Sequence, residues 1–248
     1  EIARAAEKLN CRSIAFTYND PVVFLEYAID IAVCCHERNI KSVAVSAGYI
    51  CDAPRREFFS YMDATNIDLK AFSQHFYKTL TGSDLNTVLD TLVYLKHETD
   101  VWFEITTLLI PGQNDSPQEI EKMAQWIMTN LGPDIPLFFT AFHPDWKMKD
   151  IPPTPLATLT QARTIAMQQG LHYVYTGNRH NPVTESTYCA NCQQVLIERD
   201  WHRILSFEFV DNNHCPNCNT PCPGVFEEQP GQWGQRRVAV RLGQIEKD

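Results

Sequence analysis

The sequence predicts an α/β fold: a partial TIM-type barrel of repeated βα units over residues 1–184, a small four-cysteine module at 185–226 and a polar tail at 227–248. Three observations predict it. Six short apolar runs alternate with helical patterns at a spacing of roughly 25–35 residues, and such crossovers are what parallel strands require. Polar residues at the ends of two runs lead straight into helix caps, as they do at the C-terminal rim of a βα barrel. After residue 185, two C-x-x-C turns stand 22 residues apart, a spacing that lets four thiolates converge on one metal.

In chain order, EIARAAEKLN opens the sequence as a charged amphipathic helix and not as a signal peptide. The strand candidates are SIAFTY (13–18), SVAVSA (42–47), TNIDLK (65–70), VWFEITTLLI (101–110), PLFFTAF (136–142) and LHYVYTG (171–177). Between the first two, PVVFLEYAIDIAVCCHERN places Val22, Leu25, Ile29, Ala32 and Val33 on one helical face. SPQEIEKMAQWIMTNLG starts with Ser116 as N-cap, Pro117 at the first helical position and Glu119 completing a capping box, and it stops at Gly132. The junctions AFTYNDP and IPGQNDSP place helix N-termini at the strand ends, where free N–H groups favour an anion; each is also simply a good cap. VLIERD and ILSFEFV are β-like segments between the two cysteine turns.

The bulk numbers narrow the function. A net charge of −9 gives no global pull toward phosphate backbones, so nucleic acid is not the expected partner. No apolar run is long enough to span a bilayer, so no membrane partner is expected. Nine cysteines without secretory features point to metal or redox chemistry in a reducing compartment, the cytoplasm.

Cys189, Cys192, Cys215 and Cys218 match the zinc-ribbon pattern. A mononuclear iron site of rubredoxin type uses the same ligands, and His214 is an alternative to one thiolate. CPNCNTPC (215–222) also contains Cys222, so Cys215, Cys218 and Cys222 spell C-x2-C-x3-C. Because the first two have partners at 189 and 192, Cys222 is left over. Cys34 and Cys35 fall within a helix and read as packing residues.

SIAFTYNDPVVFLEYAIDIA, SAGYI, NIDLKAF, ITTLLIPGQNDS, FFTAFHPDWKMKDIPPTPLATL, YVYTGN and TYCANCQ occur in that order. Together they resemble the radical SAM protein of the AmmeMemoRadiSam system, a relative of the pyruvate formate-lyase activating enzymes. The resemblance runs to about residue 226. It implies a barrel that binds S-adenosylmethionine at its C-terminal rim and a [4Fe–4S] cluster that cleaves it reductively to methionine and a 5′-deoxyadenosyl radical. It also implies an electron donor and a substrate that gives up hydrogen, a glycyl position of a protein being one candidate.

Carried over by motif, the resemblance puts Thr17, Asn19 and Asp20 against the methionine part of the ligand. Ser46, Ala47 and Gly48 stand where the family has Thr-Asn-Gly, one amide contact fewer. Asp68 and Lys70 share a strand face and act at the ligand or organise the site. Asn114, Asp115 and Asn178 end later strands as cofactor-binding candidates, and His143 is placed to reach the ribose or the substrate. For any one of these, a cap or a satisfied buried polar group is the simpler explanation; together they would ring one mouth.

The family's C-x3-C-x2-C follows its first strand, and no such spacing occurs in these residues. The expectation is a fragment whose cluster loop lies upstream, about 30–50 residues before Ser13 by the length of a βα unit, and which is inactive alone. Two other readings compete. One is a Schiff-base lyase on a TIM barrel with Lys70 as the nucleophile. The other is a non-catalytic barrel remnant that docks a partner through its metal module.

Overall fold

The structure, a computed structural model, describes residues 1–211, 213–231 and 239–241. The polar tail at 227–248 therefore lies largely outside the described residues. In chain order the elements are α1 (Ile2–Lys8), β1 (Ser13–Phe16), a 3-10 turn (Pro21–Phe24) running into α2 (Leu25–His36), β2 (Lys41–Ser46), α3 (Asp52–Phe59) and β3 (Ala64–Asp68). Next come α4 (Gln74–Phe76), continued by a π-helical turn (Tyr77–Thr81), then α5 (Leu85–Glu98), β4 (Trp102–Leu109), α6 (Pro117–Asn130), β5 (Leu137–Ala141), α7 (Leu156–Gln168) and β6 (Val174–Gly177). α8 (Pro182–Glu185), β7 (Thr187–Tyr188), β8 (Val195–Asp200) and β9 (Arg203–Phe207) follow. All six expected strands are present, and the α/β reading holds.

The chain divides into two compact units. Among the described residues, the first comprises Glu1–Leu69, Ser83–Phe103 and residues 239–241. Its strands β1, β2 and β3 pair in parallel, with Phe16 opposite Ala44 and Ser46 opposite Ile67. β1 is shorter than the apolar run suggests because Tyr18 has φ 70, which no continuing strand tolerates. α2 buries Leu25, Ala28, Ala32 and Cys35. The face is thus rotated from the expected one, leaving Val33 exposed. Of the two adjacent helix cysteines, only Cys35 packs, against Ala3, Ala6 and Ile40; Cys34 is exposed.

Among the described residues, the second unit comprises Lys70–Gly82 and residues 104–211 and 213–231. Here β4, β5 and β6 pair in parallel, with Leu109 opposite Ala141 and Thr140 opposite Gly177. Ser116 caps α6 as expected, accepting the Glu119 N–H at 3.3 Å. The Glu119 carboxylate does not turn back to close a capping box; it accepts the Phe72 N–H at 2.8 Å. β7, β8 and β9 form a separate antiparallel sheet. That sheet and its cysteines pack on Tyr173 and Tyr175 beside and within β6 and on Phe138 of β5, with the Phe138 and Tyr175 rings stacked at 4.8 Å. Among the described residues, no helix is long and apolar enough to cross a membrane.

Candidate functional site

In the first unit the polar strand ends are built around Asp20. Its carboxylate accepts three hydrogen bonds: from the Val22 N–H at 3.1 Å, capping the 3-10 turn, from the Ser46 hydroxyl at 3.0 Å and from the Ala47 N–H at 2.8 Å. The Gly48 N–H then donates to the Ser46 hydroxyl at 3.1 Å. One carboxylate thereby ties the loop after β1 to the loop after β2. Thr17 and Asn19 precede it on the exposed loop. Gly48 has φ 67, and a Cβ there would lie 2.9 Å from Ile67 Cγ2. Its carbonyl accepts the Thr91 hydroxyl at 2.8 Å. This position therefore demands glycine for two separate reasons. Asp68 closes β3, half-buried.

In the second unit the corresponding organiser is Asn114. It is buried, accepts the Ile110 N–H at 2.7 Å, and donates to the carbonyls of Lys70 at 2.6 Å and Leu108 at 2.9 Å. Asp115 accepts the Gly112 N–H at 2.8 Å. The backbone of the 70–72 segment is gripped three times: Asn114 holds the Lys70 carbonyl, Tyr77 Oη accepts the Lys70 N–H at 3.1 Å, and Glu119 accepts the Phe72 N–H. Burial raises the Glu119 carboxyl above its ordinary range. Asn178, with φ 60, donates to the Ala141 carbonyl at 3.2 Å, tying the end of β6 to the end of β5. His143 is exposed one residue beyond Phe142. Phe142 is pinned by buried Thr154, whose hydroxyl accepts the Phe142 N–H at 2.9 Å and donates to the Leu109 carbonyl at 2.6 Å.

The carryover thus falls into two kinds of residue. Asp20 and Asn114 spend their polar atoms on backbone, whereas Thr17, Asn19 and His143 stand exposed at strand ends. Sequence reading missed Thr154 and Tyr77 because a tertiary contact with no local pattern makes each of them matter. It also missed Glu119's role, since the capping box is the commoner use of a glutamate three residues into a helix.

Beyond α8, the Sγ atoms of Cys189, Cys192, Cys215 and Cys218 all lie within 4.8 Å of one another. Cys189 and Cys218 approach to 3.5 Å, Cys192 and Cys215 to 3.6 Å. Four thiolates around one ion at a metal–sulfur distance of about 2.3 Å would stand roughly 3.8 Å apart, so the donor set fits a single tetrahedral ion. A four-iron cluster binds each sulfur to a different iron and spreads them further. Each turn closes with a left-handed residue after its second cysteine, Gln193 at φ 61 and Asn219 at φ 58. Cys189 and Cys215 are buried, and Cys192 and Cys218 half-buried. Burial pushes the Cys189 thiol up to about 11. The Thr220 hydroxyl, 3.2 Å away, leads the donors that hold Cys218 down at about 5. Cys222 is outside the four-sulfur group: it is buried in the same cluster as Tyr173, its thiol donates to the Pro223 carbonyl at 3.9 Å, and burial pushes the thiol up.

The chain thus combines parallel α/β strands that end in polar loops with a group of four converging cysteines, and comparison with known proteins shows what its fold resembles. A domain of the pyruvate-formate lyase-activating enzyme from Bacteroides vulgatus matches with a TM-score of 0.58 at 18% identity, over 66% of this chain and 98% of that domain. A radical SAM methyltransferase from Sphaerobacter thermophilus matches at 0.57 and 16% identity, over 78% of this chain and 58% of that one. The fold is that of radical SAM enzymes. Among curated proteins, an uncharacterized protein of Methanocaldococcus jannaschii is 39% identical over 220 residues, 88% of this chain and 65% of that protein. The 4-hydroxyphenylacetate decarboxylase activating enzyme of Clostridium scatologenes is 25% identical over 120 residues, 47% of this chain and 38% of that enzyme. The chain thus spans less than two thirds of either relative. No family profile matches it.

Proposed function

We propose that the chain is the barrel part of a cytoplasmic radical SAM enzyme of the activating-enzyme type, belonging to the AmmeMemoRadiSam branch and acting on a protein substrate. The observation that carries this reading is the shared fold with the activating-enzyme domain, which this chain covers almost entirely. The relative named as a decarboxylase activating enzyme supports the same class. In this reading the strand-end residues bind S-adenosylmethionine. Thr17 and Asn19 meet the methionine part. Asp20 with Ser46 holds the loop that Gly48 lets approach closely, and Asn114 with Asp115 shapes the turn after β4. Asp68, Lys70 and His143 act on the ligand or the substrate, and Asn178 contributes to cofactor binding.

S-adenosylmethionine and a reduced cluster, when bound, supply an organic radical that takes hydrogen from substrate. The residues present do not fit the cluster itself. The four thiolates of the C-terminal centre sit too close together for it, and no C-x3-C-x2-C occurs in the sequence. In this reading its ligands lie outside these 248 residues. The C-terminal centre holds a single zinc or iron as a structural clip.

Binding of S-adenosylmethionine to the full-length protein, followed by equilibrium dialysis, tests the assignment. Asp20→Ala, which releases the loop after β2, is expected to weaken binding at least tenfold, since loops held this way position ligand contacts. Equal binding by wild type and variant would remove Asp20 from the site. No binding by the wild type would remove the reading.

A further inference from the structure

Arg163, on α7, is a half-buried cation whose charge nothing nearby answers. Its Nε donates to the Val174 carbonyl of β6 at 2.8 Å. Among the described residues, Nη1 and Nη2 have no hydrogen-bond partner and the guanidinium forms no ion pair. Composition does not force this, since the chain has 30 acidic residues against 21 basic ones. Arginines in the first unit use that surplus: Arg55 meets Asp52 at 2.7 Å and Arg56 meets Glu98 at 2.6 Å. Arg199, the other half-buried arginine among the described residues of the second unit, spends Nη1 on the Thr187 hydroxyl at 2.7 Å and the Glu185 carbonyl at 3.3 Å. Its guanidinium also lies over the Tyr175 ring, 6.0 Å from the centroid. Arg163 has no such compensation, and a cation withdrawn from water without a counter-charge is costly. Burial accordingly lowers its pKa.

Arg163 lines a cleft together with Tyr173, Tyr175, Ser186, Tyr188 and Gln193. The cleft lies where α7 and the start of β6 meet the entrance of the cysteine module. That is the opposite end of β6 from Asn178, so the cleft is separate from the loop that ends this strand. Its enclosed volume is about 10 Å³, room for about one water-sized group. Among the described residues no carboxylate lines it. Its neutral donors are already spent: the Ser186 hydroxyl on the Pro182 carbonyl at 2.7 Å, the Tyr188 hydroxyl on the Val183 carbonyl at 3.0 Å, and Gln193 Nε2 on the Cys189 carbonyl at 3.2 Å. The strongest donors left for a guest are the two Nη groups of Arg163.

We propose that Arg163 and this cleft bind a single carboxylate head group. With Nε held by Val174, the outer edge formed by Nη1 and Nη2 stays open, and its two parallel N–H groups match the two oxygens of one carboxylate. The small volume takes the head group and leaves its bearer outside, so the ligand is a short monocarboxylate or the free carboxyl end of a peptide. A nucleotide or a molecule the size of S-adenosylmethionine does not fit. Once bound, the carboxylate joins α7 to the residues that lead into the cysteine module and stabilises the folded chain by mass action.

The intact chain, in chloride-free buffer at fixed ionic strength, is titrated with sodium acetate while thermal unfolding is followed. A saturable rise in melting temperature is expected. Arg163→Gln should weaken the apparent affinity roughly tenfold or more, and Arg163→Lys, which keeps the charge but loses the two-pronged edge, should weaken it too. Arg203→Gln, at an exposed arginine without an ion pair, should leave it unchanged. If Arg163→Gln does not fold, the wild type alone decides. A dicarbonyl reagent should modify Arg163, read by mass spectrometry, roughly tenfold more slowly when acetate is saturating, with Arg203 unaffected. A short peptide and its C-terminally amidated form separate the two sources. Tighter binding of the free peptide than of acetate, lost on amidation, supports a chain end in the cleft; acetate binding as tightly as the peptide supports a free carboxylate. A rise that does not saturate, one equal in wild type and Arg163→Gln, or no protection of Arg163 would overturn the site. Saturation by chloride and not by acetate would overturn the carboxylate.

Discussion

Gly48 shows how much a single position carries in this molecule. Its φ of 67 and the 2.9 Å approach of any added Cβ to Ile67 act independently, and its amide and carbonyl are both engaged, by Ser46 and Thr91. Gly48→Ala is expected to cost about 1–3 kcal/mol, the sum of a left-handed residue and a tight contact. Thermal unfolding of the two proteins measures it, and an unchanged melting temperature would mean the loop relaxes freely. The requirement for glycine here was legible only through the family motif. Nothing in SAGYI itself announces a left-handed turn packed against β3.

At the scale of elements, the loops that follow the strands are held by side chains from their neighbours. Glu119 at the start of α6 is the clearest case. Its carboxyl is raised above its ordinary value of 4.5 by burial, so the folded state favours the protonated form. The stability linked to it is full below that value and is lost as pH rises through the folded pKa. Glu119→Gln keeps an acceptor for the Phe72 N–H but cannot ionise. The variant should gain on the wild type as pH is raised through the carboxylate range, read by urea unfolding on either side of it. A difference that stays constant with pH would contradict this.

The elements themselves were readable. The short apolar runs became β1 to β6, and Ser116–Pro117 started α6 where the cap placed it. The partner of Glu119 was not readable, since a capping box and a tertiary tie begin with the same residue. The rotated face of α2 was missed for a related reason. Ala28 and Cys35 are small, and small residues take the tight positions while Val33 is left to solvent.

For the whole molecule, the centre at Cys189, Cys192, Cys215 and Cys218 and the strand-end loops respond to different perturbations. Removing the metal should loosen the β7–β9 module and leave β1 to β3 protected. Hydrogen exchange with and without a strong chelator resolves the two, and uniform loss of protection would contradict it. At a hundredfold excess of ion over its Kd the stabilisation lost is about 3 kcal/mol. The four converging cysteines could be picked from the sequence because two C-x-x-C turns at this spacing have few other uses. Cys222 could not be placed until Tyr173 was seen beside it. The strand-end residues needed the order of seven motifs, and the roles of Asp20 and Asn114 as loop ties needed the hydrogen bonds.

The central claim is that these loops serve radical chemistry on S-adenosylmethionine. The most direct measurement is the yield of 5′-deoxyadenosine from the full-length protein, reconstituted anaerobically with iron and sulfide and reduced with dithionite. The account predicts 5′-deoxyadenosine and methionine in equal amounts, with the yield falling sharply in Asp20→Ala. A protein that carries a four-iron cluster and binds S-adenosylmethionine, yet releases no 5′-deoxyadenosine, would contradict it.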